Sequence, residues 1–199
     1  MMNASLPDIL FRAARKCRRI FFDVNSAYWF EKKLGDFSFT RQPGVPVQVS
    51  HSSDETISWI ESSGEPWMRN RREFAVARDE NHIYASLKHD HRIIGYIKVG
   101  MNRVYIDDFK QVATFPPRCA FLYDIYVAPD YRKMNLATYL AGHTMSVLKD
   151  RGYTHVRLHI PAWNSASLSV ARKLGFEQFA HIRAFRILSL ITLKVHTRK

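Results

Sequence analysis

Residues 121–160 constrain the fold most. Residues 121–127 (FLYDIYV) form an apolar, strand-prone run and 129–135 (PDYRKMN) a turn. Residues 136–149 have helical spacing, with Leu136, Tyr139, Leu140, His143 and Val147 recurring on one side. Gly152 stops that helix, and 153–160 return as a strand carrying Val156, Leu158 and Ile160. A strand–helix–strand unit of this kind closes by a right-handed crossover, which sets its two strands parallel.

The flanking segments extend this unit. Pro7 opens a helix over 7–22, with Ile9, Leu10, Ala13, Cys17 and Ile20 on one side and arginines elsewhere. It reads either as a basic helix docked on the domain or as a peripheral membrane- or partner-binding helix. Residues 25–34 suit a first strand, and 35–53 a long loop with Gly35, Pro43, Gly44 and Pro46. Asp54 is expected to cap a helix ending near Ser62, with Ile57 and Ile60 inward and Gly64 and Pro66 beyond it. Strands are expected over 74–77, 83–88 and 92–99, with His89, Asp90 and His91 turning between the last two. Residues 106–118 read as a loop. Asn164 precedes a short helix over 165–174 closed by Gly175, and 176–196 supply two strands, the second over 187–195. The expected fold is therefore α/β (α+β). It has a mixed, mostly antiparallel central sheet with a parallel pair at its centre and helices on both faces. Residues 1–52 are assigned to an N-terminal basic extension of helix, strand and loop, and 53–199 to the main domain.

With 30 Lys+Arg against 18 Asp+Glu the formal net charge is +12, which favours an anionic partner without choosing one. No nucleic-acid-binding motif accompanies the charge, so nucleic acid is not the expected partner. Two cysteines, Cys17 and Cys119, make neither a disulfide framework nor a metal-ligand pattern. No apolar run approaches a membrane span, and Arg12, Arg15, Lys16, Arg18 and Arg19 break any signal-peptide core in 1–22. The expected setting is cytoplasmic, and the expected state a monomer or homodimer. His155 and His159 lie four apart on a strand, a spacing that marks a shared face rather than a metal site.

Chemistry concentrates at 127–138 (VAPDYRKMNLAT). A helix start offers unpaired N–H groups and the positive end of the helix dipole, a ready phosphate site. Arg132 and Lys133 add charge there, Thr138 a hydroxyl, and Ala137 room for close approach. A second stretch, NSASLSVARKLGF, runs from Asn164 to Phe176. Taken separately, each also reads as an ordinary turn or capped helix.

Together they resemble the GNAT superfamily of acyl-CoA-dependent N-acyltransferases. The resemblance rests on Val127-Ala128-Pro129-Asp130-Tyr131-Arg132, on Arg132 to Ala137 at the helix start, and on Asn164 with Lys173-Leu174-Gly175-Phe176. It covers about residues 70–195 and leaves 1–50 unmatched. It implies acetyl-CoA or another acyl-CoA as co-substrate, with no metal. Main chain at Ile125 and Val127 would pair with pantetheine. Amides of Lys133, Asn135, Leu136, Ala137 and Thr138, beside Arg132, would hold the pyrophosphate, and Asn164 would meet the pantetheine arm. Two departures stand out. Asn135 replaces the usual loop glycine, as the next most tolerant residue of left-handed backbone. Ala171 takes the place of a tyrosine that protonates the leaving thiolate in many members.

Asp124, the one carboxylate in 121–127, is the candidate general base, with a structural ion pair as the competing reading. Tyr126 is the candidate substitute acid, against a pocket-wall role. His159, a lone strand histidine, and Cys119 read as structural. Tyr28, Trp29, Phe30, Trp59 and Trp67 read as core or as an acceptor groove. The expected activity is direct acyl transfer from acyl-CoA to a primary amine with general-base assistance. A catalytically weak acyl-CoA-binding sensor or interaction module is the alternative. The positive balance favours a small anionic amine, such as a nucleotide-linked amino sugar, over a polyamine.

Overall fold

The computed structural model describes residues 22–62, 71–187 and 191–198, with side chains over 25–62 and 73–184. The helix expected over 7–22 and the stop at Gly64 and Pro66 lie outside the described residues, as does the side chain of Trp67.

Ten strands and four α-helices are described. The first is β1 (Phe22–Lys33), followed by β2 (Gln48–Ser50), α1 (Ser53–Ser62) and α2 (Arg71–Asp79). Next come β3 (Ile83–His89), β4 (Arg92–Met101), β5 (Arg103–Ile106), β6 (Gln111–Thr114) and β7 (Cys119–Val127). The C-terminal part holds α3 (Leu136–Asp150), β8 (His155–Pro161), α4 (Ser165–Lys173), β9 (Glu177–Ile187) and β10 (Ile191–Arg198). Eight strands form one sheet in the order β10-β9-β1-β8-β7-β4-β3-β2, and β5 pairs with β6 separately. Every pair in the large sheet is antiparallel except β7–β8, as the crossover through α3 requires. β1, placed by sequence in the extension, lies between β8 and β9.

Period-two alternation divides the core by face. Ile97, Leu122, Leu136, Leu140, Met145 and Ala171 pack on the α3–α4 side. Phe121, Phe109, Phe115 and Val104 pack under the β5–β6 hairpin, and Tyr84 and Tyr96 pack with Ile60 and Ala77 of α1 and α2. Each fully buried Leu or Phe contributes about 1.5–3 kcal/mol. Gly142 in α3 leaves room for the Phe39 ring, which a Cβ there would run into.

Three local expectations need correction. Residues 74–77 are helical, within α2, where Phe74 and Ala77 sit one turn apart and RREFAVARD is rich in helix formers. Residues 106–118 are not a plain loop but complete the β5–β6 hairpin, whose register runs from Arg103–Thr114 to Ile106–Gln111. A short 3₁₀ turn at Asp107–Phe109 and left-handed Lys110 (φ 51°) close it. α1 begins at Ser53, so Ser52 caps it, its hydroxyl accepting from the Glu55 amide at 3.4 Å, and Asp54 sits in the first turn. The β3–β4 turn is as expected, with Asp90 and His91 both at positive φ.

Candidate functional site

The parallel pairing of β7 and β8 runs from Cys119 opposite His155 to Leu122 opposite Leu158 and stops. Both strands continue, to Val127 and Pro161. On the other side of β7, Lys98 faces Asp124 while Val99 faces Leu122, so Tyr123 is a bulged extra residue. A bulge bends its strand, and this one falls at the first residue past the last parallel pair. The Tyr123 hydroxyl is anchored 3.2 Å from His82 Nδ1 and 3.2 Å from the Tyr84 hydroxyl. The two strands therefore part, and a cavity of about 400 Å³ occupies the wedge. Asp124, Ile125, His159, Asn164 and Ala171 are among its lining residues.

Asp124 belongs to a buried ionic cluster. Lys98 Nζ donates to Glu73 Oε1 at 2.6 Å and lies 3.1 Å from Asp124 Oδ2. Lys98 is 1% exposed, and its ammonium sits 5.3 Å from the Phe74 ring centre and 5.4 Å from that of Tyr96. The Tyr96 hydroxyl donates to Asp124 Oδ2 at 2.8 Å. Burial first, then the Asp124 charge, pushes Tyr96 far above the usual phenol range, which keeps it a donor. Burial raises Glu73, and Lys98 partly offsets that. Asp124 is thus in an ion pair, with Lys98, and it also lines the cavity. Lys98 was not anticipated, although a lysine between Ile97 and Val99 in an apolar strand was a visible signal.

The second polar pair was also missed. His159 Nε2 lies 2.8 Å from Asp108 Oδ2, and both residues line the cavity. The imidazole lies parallel to the Phe121 ring, centres 5.8 Å apart, and its side chain is 8% exposed. Its Nδ1 is buried and meets no partner among the described residues. The hydrogen bond from His159 holds Asp108 below the usual carboxylate range, against the opposing effect of burial. Asp108 belongs to the β5–β6 hairpin, whose residues read as loop in the sequence, so nothing there links it to His159. His155 turns to a different partner, with Nδ1 2.9 Å from Thr154 Oγ1.

The turn before α3 has the expected backbone. Asn135 is left-handed (φ 58°, ψ 12°), as is Lys133 (φ 65°). Asn135 Oδ1 accepts from Lys173 Nζ at 3.0 Å, which joins the two sequence motifs and brings a third cation to the turn. Arg132 Nε donates to the Val127 carbonyl at 3.1 Å. Leu136 and Thr138 are each 2% exposed and turn into the core, so the first-turn amides rather than the Thr138 hydroxyl are what the turn offers a phosphate. Ala137 is half-buried beside them. Asn164 caps α4, its Oδ1 accepting from the Ser167 amide at 3.1 Å. Ala171 is 1% exposed in the cavity wall. Cys119 is a buried free thiol that burial pushes up.

Other predicted residues fall elsewhere. Tyr126 stacks on Tyr96 (5.6 Å) and lies 6.4 Å from Trp59, among the α1–α2 packing and outside the cavity lining. Tyr28 stacks near His181, Trp29 packs near Phe121 and His159, and Phe30 is core. The cavity's charged lining is Glu73, Asp107, Asp108 and Asp124; among the described residues no lysine or arginine lines it.

The parallel pair of this mixed sheet thus parts over a cavity with largely apolar walls and four carboxylates, and a turn with left-handed Lys133 and Asn135 leads from β7 into α3. The profile of the family described as acetyltransferase (GNAT) matches residues 49–176, and the chain belongs to that family. The [ribosomal protein bS18]-alanine N-acetyltransferase of Salmonella typhimurium is 23% identical over 133 residues, 66% of this chain and 80% of that protein. A GCN5-related N-acetyltransferase from Sphaerobacter thermophilus superposes with a TM-score of 0.62 at 12% identity, over 89% of this chain and 56% of the other. A glucosamine N-acetyltransferase region of a fungal multi-domain β-N-acetylglucosaminidase gives 0.56 at 14% identity, over 91% of this chain and 23% of that one. At these identities the two structures speak for the fold alone.

Proposed function

We propose that the chain transfers an acyl group, acetyl in the simplest case, from acyl-CoA to a primary amine by direct attack. The amides from Lys133 to Thr138 hold the pyrophosphate, with Arg132, Lys133 and Lys173 around it. The pantetheine arm follows the open edge of β7 at Ile125 and Val127, with Asn164 beside it, and the thioester reaches Asp124. The amine nitrogen attacks the thioester carbonyl; the N–C bond forms, the C–S bond breaks, and the sulfur leaves as thiol with a proton. Main-chain N–H groups of the unpaired part of β7 suit the developing oxyanion.

The proton budget favours Asp124 as acceptor. Deprotonating an alkylammonium of pKa ~10.4 at pH 7 costs roughly 4.6 kcal/mol, whereas a thiolate of pKa ~8.5 is uphill by only about 2 kcal/mol. Assistance to the amine therefore matters more than a replacement for the tyrosine absent at Ala171. Asp124 takes the proton directly or through water, and Lys98 and Tyr96 hold its carboxylate in place. The single observation carrying this reading is Asp124 at the point where β7 leaves β8, facing the cavity. A cytoplasmic setting belongs to the same proposal and rests on the sequence holding only two cysteines.

Thiol release from acetyl-CoA with a panel of primary amines tests it. Turnover is expected, and Asp124→Asn should lower kcat by about 10²-fold or more while acetyl-CoA KM changes little. Acetyl-CoA binding with no turnover on any amine would replace the enzyme with the acyl-CoA-binding module.

A further inference from the structure

We propose that residues 34–51 are a strap over α3 and that the contact of His51 with His143 latches it, closed near neutral pH and opened by acid. The strap leaves β1 as irregular chain, forms the three-residue edge strand β2, and reaches His51 just before α1. Phe37, Phe39, Val45, Val47 and Val49 pack it against the main core. Phe39 sits on Gly142, with its ring 6.1 Å from that of Tyr139. At the C-terminal end of α3, Lys149 Nζ donates to the Phe37 carbonyl at 2.9 Å. At the N-terminal end, the Gly44 amide donates to the Met134 carbonyl at 3.0 Å. Met134 lies between left-handed Lys133 and Asn135, so the strap grips the turn that leads into α3.

His51 meets His143 near the middle of α3, their rings stacked with centres 5.4 Å apart and planes 22° from parallel. Both ring nitrogens of His51, and Nδ1 of His143, are buried and meet no hydrogen-bond partner among the described residues. A proton added to such a nitrogen brings a charge with no acceptor to receive it. The surroundings do not offset that charge. His143 from α3 and Arg151 just past its end both oppose a cation on His51. On the α1 side, Glu55 is engaged by Lys88 of β3 and by the Ser50 hydroxyl. Burial first, then His143 and Arg151, holds His51 below the ordinary histidine value. With the strap open the ring meets water and takes the proton more readily. Closure is therefore undisturbed above about pH 6.5 and weakens as pH falls towards the lowered value, by up to about tenfold per pH unit for one proton. Opening also frees Gly44 from Met134 and loosens the turn. Its consequence for acetyl-CoA rests on the transfer reading above, in which that turn holds the pyrophosphate.

Amide hydrogen exchange of the full chain between pH 7.5 and 5.5, corrected for the intrinsic exchange rate at each pH, tests the latch. Protection over residues 36–50 should fall by about threefold or more across that range, while β8 keeps its protection. His51→Phe retains a ring without a titrating nitrogen and should flatten the dependence; His143→Phe should flatten it in part. Strap protection that does not change with pH, or that changes equally in His51→Phe, would overturn the proposal. If neither variant folds, NMR titration of the His51 imidazole in the unaltered chain decides. A midpoint below the ordinary value of about 6.5 supports the latch, and one at or above it sinks the idea. The acetyl-CoA dissociation constant, read by calorimetry, should rise on acidification in the unaltered chain and stay level in His51→Phe. A strap that opens without any change in that constant would refute the coupling to the turn. No acetyl-CoA binding at any pH would defeat the transfer reading instead, and the exchange data would still decide the latch.

Discussion

Lys98→Met is the most informative single change outside the reaction itself. Lys98 is 1% exposed and serves two carboxylates, Glu73 at 2.6 Å and Asp124 at 3.1 Å, whose side chains are 12% and 26% exposed. Methionine fills much the same volume, so packing is largely kept and the loss is electrostatic. Removing one partner of a buried ion pair costs about 3–5 kcal/mol, because an uncompensated charge stays behind. For a chain of this size that is roughly a 6–20 °C fall in Tm. The effect has a pH signature. Glu73 already sits above its ordinary value because burial outweighs Lys98, and losing Lys98 raises it further. A carboxyl raised in the folded state contributes stability that is fully present below its unfolded pKa of about 4.3 and is lost as pH rises through the folded value. The deficit of Lys98→Met should therefore be small near pH 4 and grow towards pH 7. Adding Glu73→Gln should recover a large part of it at pH 7 and little at pH 4. Urea unfolding of the four proteins of this double-mutant cycle across that range is the assay. A deficit below about 1 kcal/mol at pH 7, or one that does not change with pH, would refute the idea that the cluster is held by a buried ammonium.

Four further outcomes follow from the same contacts. His82 is held neutral by burial, so its contribution is present above about pH 6.5 and lost as pH falls through its lowered value; His82→Gln should flatten the urea-midpoint profile between pH 7 and 5. Asn164→Ala removes the cap of α4 and should cost about 1 kcal/mol in unfolding free energy. Gly142→Val places a side chain against the Phe39 ring and should lower stability by about 1–3 kcal/mol, read as a fall in Tm. Asn135→Val forces a β-branched residue into left-handed backbone and should raise acetyl-CoA KM, whereas Asn135→Gly should keep the turn; similar KM values for the two would contradict the backbone account.

What sequence reading reached depended on how local the cause was. The 121–160 unit was legible because its apolar spacing, turn residues and Gly152 all act within one supersecondary element. Asn135 was legible because backbone tolerance is a property of the residue itself. Residues 74–77 were misread because four apolar or small residues fit either period, and only the tyrosines of β3 and β4 packing from below decide for a helix. Asp108 and His159, 51 positions apart, could not be joined without the β5–β6 hairpin, whose turn chemistry rests on a left-handed lysine instead of a glycine. Lys98 showed as an anomaly in β4, but its meaning needed Glu73 and Asp124 delivered by two other elements. Tyr126 looked like an acid because it neighbours the cleft in sequence; its side chain goes to the α1–α2 packing, with Tyr96 and Trp59.

The net charge of +12 is a whole-chain quantity, and a site answers to its own surroundings. Field strength at a ligand falls with distance and is screened beyond about 8–10 Å at physiological salt, so what a substrate meets is the local set of groups. Around the α3 turn that set is Arg132, Lys133 and Lys173, all exposed, with Lys173 fixed to Asn135. Inside the wedge, among the described residues, it is Glu73, Asp107, Asp108 and Asp124 with Lys98, Lys110 and His159 against them. On the proposed transfer reading, the cationic turn would meet the phosphates of the co-substrate and the carboxylate side of the cleft the acceptor amine, near Asp124. Raising the salt should then weaken both substrates together, because each is attracted by its own end of the protein rather than by a common surface charge. An acceptor KM that rises with ionic strength in step with that of acetyl-CoA fits this arrangement. An acceptor KM that falls with salt would mean that the overall positive charge repels the acceptor more than the carboxylates attract it.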